Sequence, residues 1–215
     1  KTGRQSITKG FNYLTLKKTD RVNLSTNDNR QLFEVDFVSC EPNFYINSVL
    51  KLNIGNKSIY DYLIEKFDLK IKSAKFKNGL IALLYGAGSN TICNISGIKK
   101  NKISLINDFL KIDEFKKQIN SEFLENNMFL NYYNRPILDN NNPVNYWIQS
   151  SVADFCCLAF DEFIKENSYL DVHAFIHDAI IVSCPTKNIQ KFKSITAIKE
   201  NISNIELPIK IKSIS

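Results

Sequence analysis

The sequence predicts an α+β domain built on an antiparallel sheet flanked by helices. Three observations point there. Segments of strand period and of helical period are mixed along the chain without regular βαβ alternation. Two β-rich runs, Asp171 to Ile176 and Ala179 to Cys184, are separated only by His177-Asp178, the signature of a hairpin. Hydrophobic residues make up 44% of 215 residues and charged residues 23%, enough for a sizeable core and too apolar for a disordered chain.

The elements follow in order. Gln31 to Phe37 (QLFEVDF) alternates apolar and polar residues and reads as a strand carrying Asp36 near its end. Glu41 to Leu52 shows helical spacing, with Pro42 suited to a first turn. Ser58 to Phe67 reads as a helix. Leu69 to Tyr85 reads as a longer one, basic at first, apolar later, and closed by Gly86. Residues 88–134 are expected to form several helices, Asp113 to Tyr133 the clearest. Arg135 to Leu138 is expected as a short strand and Asn145 to Glu166 as a helix of about six turns. After the hairpin, Lys187 to Glu200 reads as a helix and Glu206 to Ile214 as a final strand.

Net charge is +6 and the pI about 8.9, which fits an anionic partner, nucleic acid above all. Of the 28 basic residues only four are arginines, so contact with phosphate would fall mostly to lysines. No apolar run approaches the length of a membrane span, and no signal peptide is evident at the N-terminus. Five cysteines without a C-x-x-C pair argue against a disulfide framework or zinc site and for reduced thiols. A cytoplasmic protein without a membrane partner is expected.

Asp36 lies near a strand end and Asp178 at a hairpin tip. If those strands are neighbours, both carboxylates can serve one spot. Hard oxygen ligands with room for water and phosphate suit Mg²⁺. Two such ions can activate an attacking hydroxyl and stabilise a leaving pyrophosphate. An aspartate at a hairpin tip also reads simply as a turn former.

The surrounding residues carry a resemblance. Asp36-Phe-Val-Ser-Cys-Glu41 resembles the first palm motif of family A (DNA polymerase I type) DNA polymerases, an Asp followed five residues later by a Glu. Lys77-Asn-Gly-Leu-Ile-Ala-Leu-Leu-Tyr85-Gly86 resembles their fingers motif. Asn145-Tyr-Trp-Ile-Gln149 and the residues to Asp154 are similar to the helix that contacts template and primer. His177-Asp178 resembles the third motif, and Thr2-Gly3-Arg4 the tripeptide that opens the palm. All five stand in family order. Taken singly, Lys77 also reads as a solvated helix lysine, Tyr85 as a core aromatic, Gln149 as a surface residue and His177 as a turn histidine.

The resemblance implies a palm in two parts, residues 1–57 and 135–215, around helical fingers at 58–134. It implies that Asp36 and Asp178 bind two Mg²⁺ ions. Lys77 would hold the triphosphate of the incoming dNTP, and Tyr85 would stack near the insertion site. Glu41 would act as the steric gate that rejects a 2′-hydroxyl, kept in place by a hydrogen bond with Tyr85. His177 would support the primer end. Arg4, Asn145 and Gln149 would meet minor-groove acceptors of the primer-template, which every base pair presents.

The sequence departs from the family at four places. Ser73 stands where an Arg is usual, with Lys72 and Lys75 near it but no bidentate fork. Ile81 replaces the aromatic of the nucleotide site, Ala179 the Glu after the motif aspartate, and Asn141 an Arg. The chain opens at the tripeptide, so a thumb and an exonuclease-like segment are expected in cis or from a separate chain. The wealth of Asn and Ile suggests AT-rich coding and fits a compact, phage-like member.

Three functions compete. The leading expectation is DNA-templated DNA synthesis. The second is a catalytically degenerate nucleic-acid-binding or assembly module derived from such a palm, motivated by Ser73 and Ala179. The third is RNA synthesis by a related single-subunit polymerase, against which Glu41 with Tyr85 argues.

Overall fold

A computed structural model describes residue 26 and residues 29–54, 57–139 and 141–214. These residues form two compact units. One comprises Glu41–Ser151; the other joins the residues up to Cys40 with those from Val152 onward.

The second unit holds a five-stranded sheet. Its strands are β1 (Arg30–Phe37), β4 (Asp171–Ile176), β5 (Ala179–Pro185), β6 (Ala197–Glu200) and β7 (Ile205–Ser213), in the order β4-β5-β1-β7-β6. Every pairing is antiparallel, so the expected α+β class with an antiparallel sheet is what the chain forms. As the centre strand, β1 is buried on both faces: Leu32, Phe33, Glu34 and Val35 are all buried. That explains the near-continuous burial of a segment whose sequence alternates.

Alternation then sorts the side chains. Phe33 and Phe37 face the helices. Phe37 packs on Phe155 and Phe160 of helix α7 (Pro143–Glu166), with ring centroids 5.3 and 4.8 Å away. Phe33 meets Phe192 of the short helix α8 (Ile189–Lys193) edge to face at 5.2 Å. On the opposite face Leu32 joins Ile176, Ile181 and Ile214 in a smaller apolar cluster. Arg30 clamps β1 to the hairpin. Its Nε donates to Ser183 Oγ at 2.8 Å and its Nη2 to the carbonyls of Tyr169 and Ser183, while Asp171 pairs with it at 2.8 Å.

The first unit is helical. It contains α1 (Cys40–Ser48, from its second residue), α2 (Ile59–Lys66), α3 (Ser73–Leu84), α4 (Ser89–Ser96), α5 (Lys100–Leu110) and α6 (Ile112–Asn126). A small ribbon of β2 (Phe129–Leu130) and β3 (Pro136–Ile137) and the start of α7 complete it. Trp147 of α7 anchors an aromatic cluster with Phe115 at 4.9 Å and with Phe44 and Tyr132 at 6.3 Å. Tyr45 is fully buried and donates its hydroxyl to the Leu110 carbonyl at 2.9 Å. Burial, and secondarily the nearby Glu114 charge, pushes that phenol well above its ordinary range. Among the described residues no helix is long and apolar enough to cross a membrane.

Several expected elements change. The helix expected over Lys187 to Glu200 is a 3-10 turn (Thr186–Asn188), α8 and then strand β6. Ser194 ends the helix, and the β-branched pair Ile195-Thr196 leads into a strand whose Ile198 is buried and paired with Leu207. The helix expected over Asp113 to Tyr133 stops at Asn126, because Asn127 turns left-handed at φ 55° and Phe129 is drawn into the ribbon. The helix expected from Leu69 begins at Ser73, since Asp68 is left-handed at φ 46° and Lys72 is an extended N-cap.

Candidate functional site

The sheet unit brings the two aspartates to the same end of neighbouring strands. Asp36 is the penultimate residue of β1, paired with Ala179, the first residue of β5. Asp178 immediately precedes Ala179. Its carbonyl accepts from the Phe37 amide at 3.1 Å, which ties the hairpin tip to the end of β1. The hairpin loop is only His177-Asp178, closed by the Ile176–Ala179 pair. His177 adopts φ 56°, a left-handed conformation that histidine tolerates better than most residues. It is exposed, while Asp36 and Asp178 are half-buried.

Two further residues share this face and were not foreseen. Glu34 precedes Asp36 by two positions, so strand alternation sends both side chains the same way. Lys212 of β7 pairs opposite Glu34. Its Nζ lies 3.5 Å from Glu34 Oε1 and 3.4 Å from Asp36 Oδ2. The period-2 spacing of Glu34 was visible in the sequence. The partnership with Lys212 required the β1–β7 register, set by residues 178 positions apart.

In the helical unit, Lys77, Ile81 and Tyr85 follow one another at four-residue steps. They form one flank of α3 and its C-cap, beside the buried stripe of Phe76, Leu80, Leu83 and Leu84. Lys77 is exposed; Ile81 and Tyr85 are half-buried. The expected hydrogen bond is present: the Tyr85 hydroxyl donates to Glu41 Oε2 at 2.5 Å. Ser73 opens the same flank. Its hydroxyl donates to Asp61 Oδ1, and Ser58 donates to Oδ2 of the same carboxylate at 2.6 Å. These bonds, Ser58 first and Ser73 second, hold the Asp61 carboxyl below its ordinary range.

Tyr85 also lines an open cleft, together with Gly86, Asn107, Asp113, Lys116 and Asn145. Asn145 stands in the first turns of α7. Its Oδ1 is buried without a hydrogen-bond partner among the described residues. Gln149 lies one turn further along α7 and is half-buried. Arg4, with Thr2 and Gly3, lies outside the described residues.

No protein-family model matches the chain, and no curated protein sequence matches it. In fold the chain is similar to the solved POL domain of Pol1 from M. smegmatis, in complex with DNA primer-template and dNTP. The TM-score is 0.71 at 11% sequence identity. The match covers 94% of this chain and 44% of that one, so the chain spans less than half the length of that neighbour. The likeness establishes a polymerase-like fold.

Proposed function

We propose that this chain is the palm and fingers portion of a DNA-templated DNA polymerase of the DNA polymerase I type, adding dNTPs to a primer 3′-hydroxyl. One observation carries the reading. In a fold similar to a polymerase domain, the two motif aspartates fall at one end of adjacent strands, Asp36 beside the start of β5 and Asp178 hydrogen-bonded to the end of β1.

The residues suit Mg²⁺. Asp36 and Asp178 supply hard carboxylate oxygens, and the face already draws a cation, the Lys212 ammonium. When bound there, the ions would supply charge stabilisation for nucleotidyl transfer. The chain's own residues do the positioning. Lys77, on an exposed helix flank, offers a mobile point charge to a triphosphate. Tyr85 holds Glu41 in place, so the carboxylate can crowd the sugar's 2′ position. Asn145 and Gln149 offer polar groups to duplex edges, with Arg4, and His177 supports the primer terminus. The 3′-oxygen attacks the α-phosphate in line and pyrophosphate leaves; catalysis is mostly placement and preorganised charge. A thumb and an exonuclease-like segment, in cis or as a partner, would supply the duplex grip.

Ser73 and Ala179 favour a second reading, a nucleic-acid-binding module without catalysis. The Ser73 hydroxyl is engaged by Asp61, and Ala179 faces Asp36 with a methyl group. Primer extension by the chain and by Asp36→Asn and Asp178→Asn decides between them. Polymerase function expects extension by the wild type and background levels in both variants. The Asp36→Asn variant should melt within about 1 kcal/mol of wild type, since its ion pair with Lys212 is partly exposed. DNA binding without dNTP binding in the wild type would leave the module.

A further inference from the structure

We propose that Lys212 is a resident counter-cation of Asp36, anchored by Glu34, and that it sets how tightly this end of the sheet takes a divalent cation. The inference deepens the polymerase reading and rests on its assignment of Asp36 as a metal ligand.

Glu34 carries the argument first. Its side chain is only 9% exposed, in the middle of the centre strand. A carboxylate buried to that degree needs a compensating charge. Lys212, directly opposite on β7, supplies it at 3.5 Å and is thereby fixed in place. The same ammonium reaches Asp36 Oδ2 at 3.4 Å, on a carboxylate that is 32% exposed. Both separations exceed the 2.7–2.9 Å of a tight charge-assisted hydrogen bond. The ammonium is therefore shared between two carboxylates and can yield one of them.

Chemistry makes the sharing consequential. A divalent ion taken by Asp36 meets a positive charge already resting on that carboxylate. It must displace the ammonium or bear its repulsion. No third carboxylate follows Asp178, because Ala179 stands there and lies directly opposite Asp36. The face thus sets two carboxylates, Glu34 and Asp36, against the built-in Lys212 ammonium. Lys210 provides an internal control. It lies on the same strand, opposite Asp36 in register, but is exposed.

The test is Mn²⁺ binding to the full chain without DNA or nucleotide, read from the electron paramagnetic resonance of free Mn²⁺ at fixed ionic strength. Lys212→Met keeps the aliphatic stem over the sheet and should tighten Mn²⁺ binding about five- to tenfold. Lys212→Gln serves the same purpose should the Met variant fail to fold. Lys212→Arg, which retains the charge, should stay within about twofold of wild type, as should Lys210→Gln. An unchanged affinity in both neutral Lys212 variants overturns the proposal, and so does an equal gain from Lys210→Gln. Asp36→Asn separates the two levels of inference. If it abolishes Mn²⁺ binding while the Lys212 variants are silent, the counter-cation role alone falls. If Asp36→Asn binds Mn²⁺ like wild type, the metal assignment beneath it falls.

Discussion

The hydroxyl of Tyr85, the C-cap of α3, donates to Oε2 of Glu41, in the first turn of α1, at 2.5 Å. The two residues are 44 positions apart, and the bond gives the Glu41 carboxylate a defined position that a single helix turn would not provide. An acceptor so held can exclude a neighbouring hydroxyl as well as bind one, which is specificity by clash.

Glu41→Ala should therefore raise ribonucleotide use relative to deoxyribonucleotide by at least about tenfold, the order expected for relieving one steric conflict in a fitted pocket. Tyr85→Phe should shift discrimination the same way but less, because the carboxylate remains and only its tether is lost. Competition between dNTP and NTP in single-nucleotide extension measures both. Unchanged sugar selectivity in Glu41→Ala would remove that residue from the nucleotide site.

Lys77→Ala should raise the apparent KM for dNTP and lower turnover, with DNA affinity held. The side chain is exposed on α3, so its loss leaves the buried stripe intact and the fold unaltered. Titrations of dNTP and of primer-template, measured separately, report the split. A fall in DNA affinity with nucleotide affinity intact would instead place Lys77 on the duplex surface.

Gly79→Ala should destabilise the helical unit by about 1–3 kcal/mol despite alanine's better helix propensity. A Cβ at Gly79 of α3 would lie 2.6 Å from Cβ of Ser96 of α4. Ser96 is buried at the end of α4 and its Cβ is fixed by the backbone, so only a backbone shift relieves the clash; such a shift strains the bonds its hydroxyl gives to the Ile92 carbonyl and takes from the Ile98 amide. Urea unfolding of the single variants and of Gly79→Ala with Ser96→Gly should give strong non-additivity, the second change relieving the first.

Asp61 provides a pH prediction. Its folded carboxyl sits below the ordinary range through Ser58 and Ser73. A depressed folded value contributes stability above the unfolded pKa, which is lost as pH falls through the folded value. Ser58→Ala should raise the Asp61 pKa toward the ordinary range, and Ser73→Ala should do so by a smaller amount. Carboxyl ¹³C titration by NMR reads both shifts. The carboxylate is exposed, so the accompanying change in acid stability should be small.

What the sequence determined by itself is what local periodicity encodes. The strand at β1, the hairpin around His177-Asp178 and the long helix α7 each carry a pattern within a dozen or two residues, and each forms close to where that pattern lies. The Glu41–Tyr85 bond was also legible, because both residues fall within motifs that stand in family order. Tertiary structure decided the rest. Strand β6 forms because β7, itself docked on β1, offers it a ladder partner, and β2 pairs with β3 across a short connection; these pairings overrode a helical reading of Lys187 to Glu200 and of the end of α6. Ser73 became a partner of Asp61 only when α2 and α3 came together, and Gly79 acquired its meaning only against Ser96. Lys212 is the clearest case. In sequence it is one lysine of 24; the antiparallel register of β7 on β1 sets it on Glu34 and Asp36. Period and propensity act over neighbouring residues, whereas charge and close packing act through space, and only the folded chain brings residues 176 positions apart to within 3.4 Å.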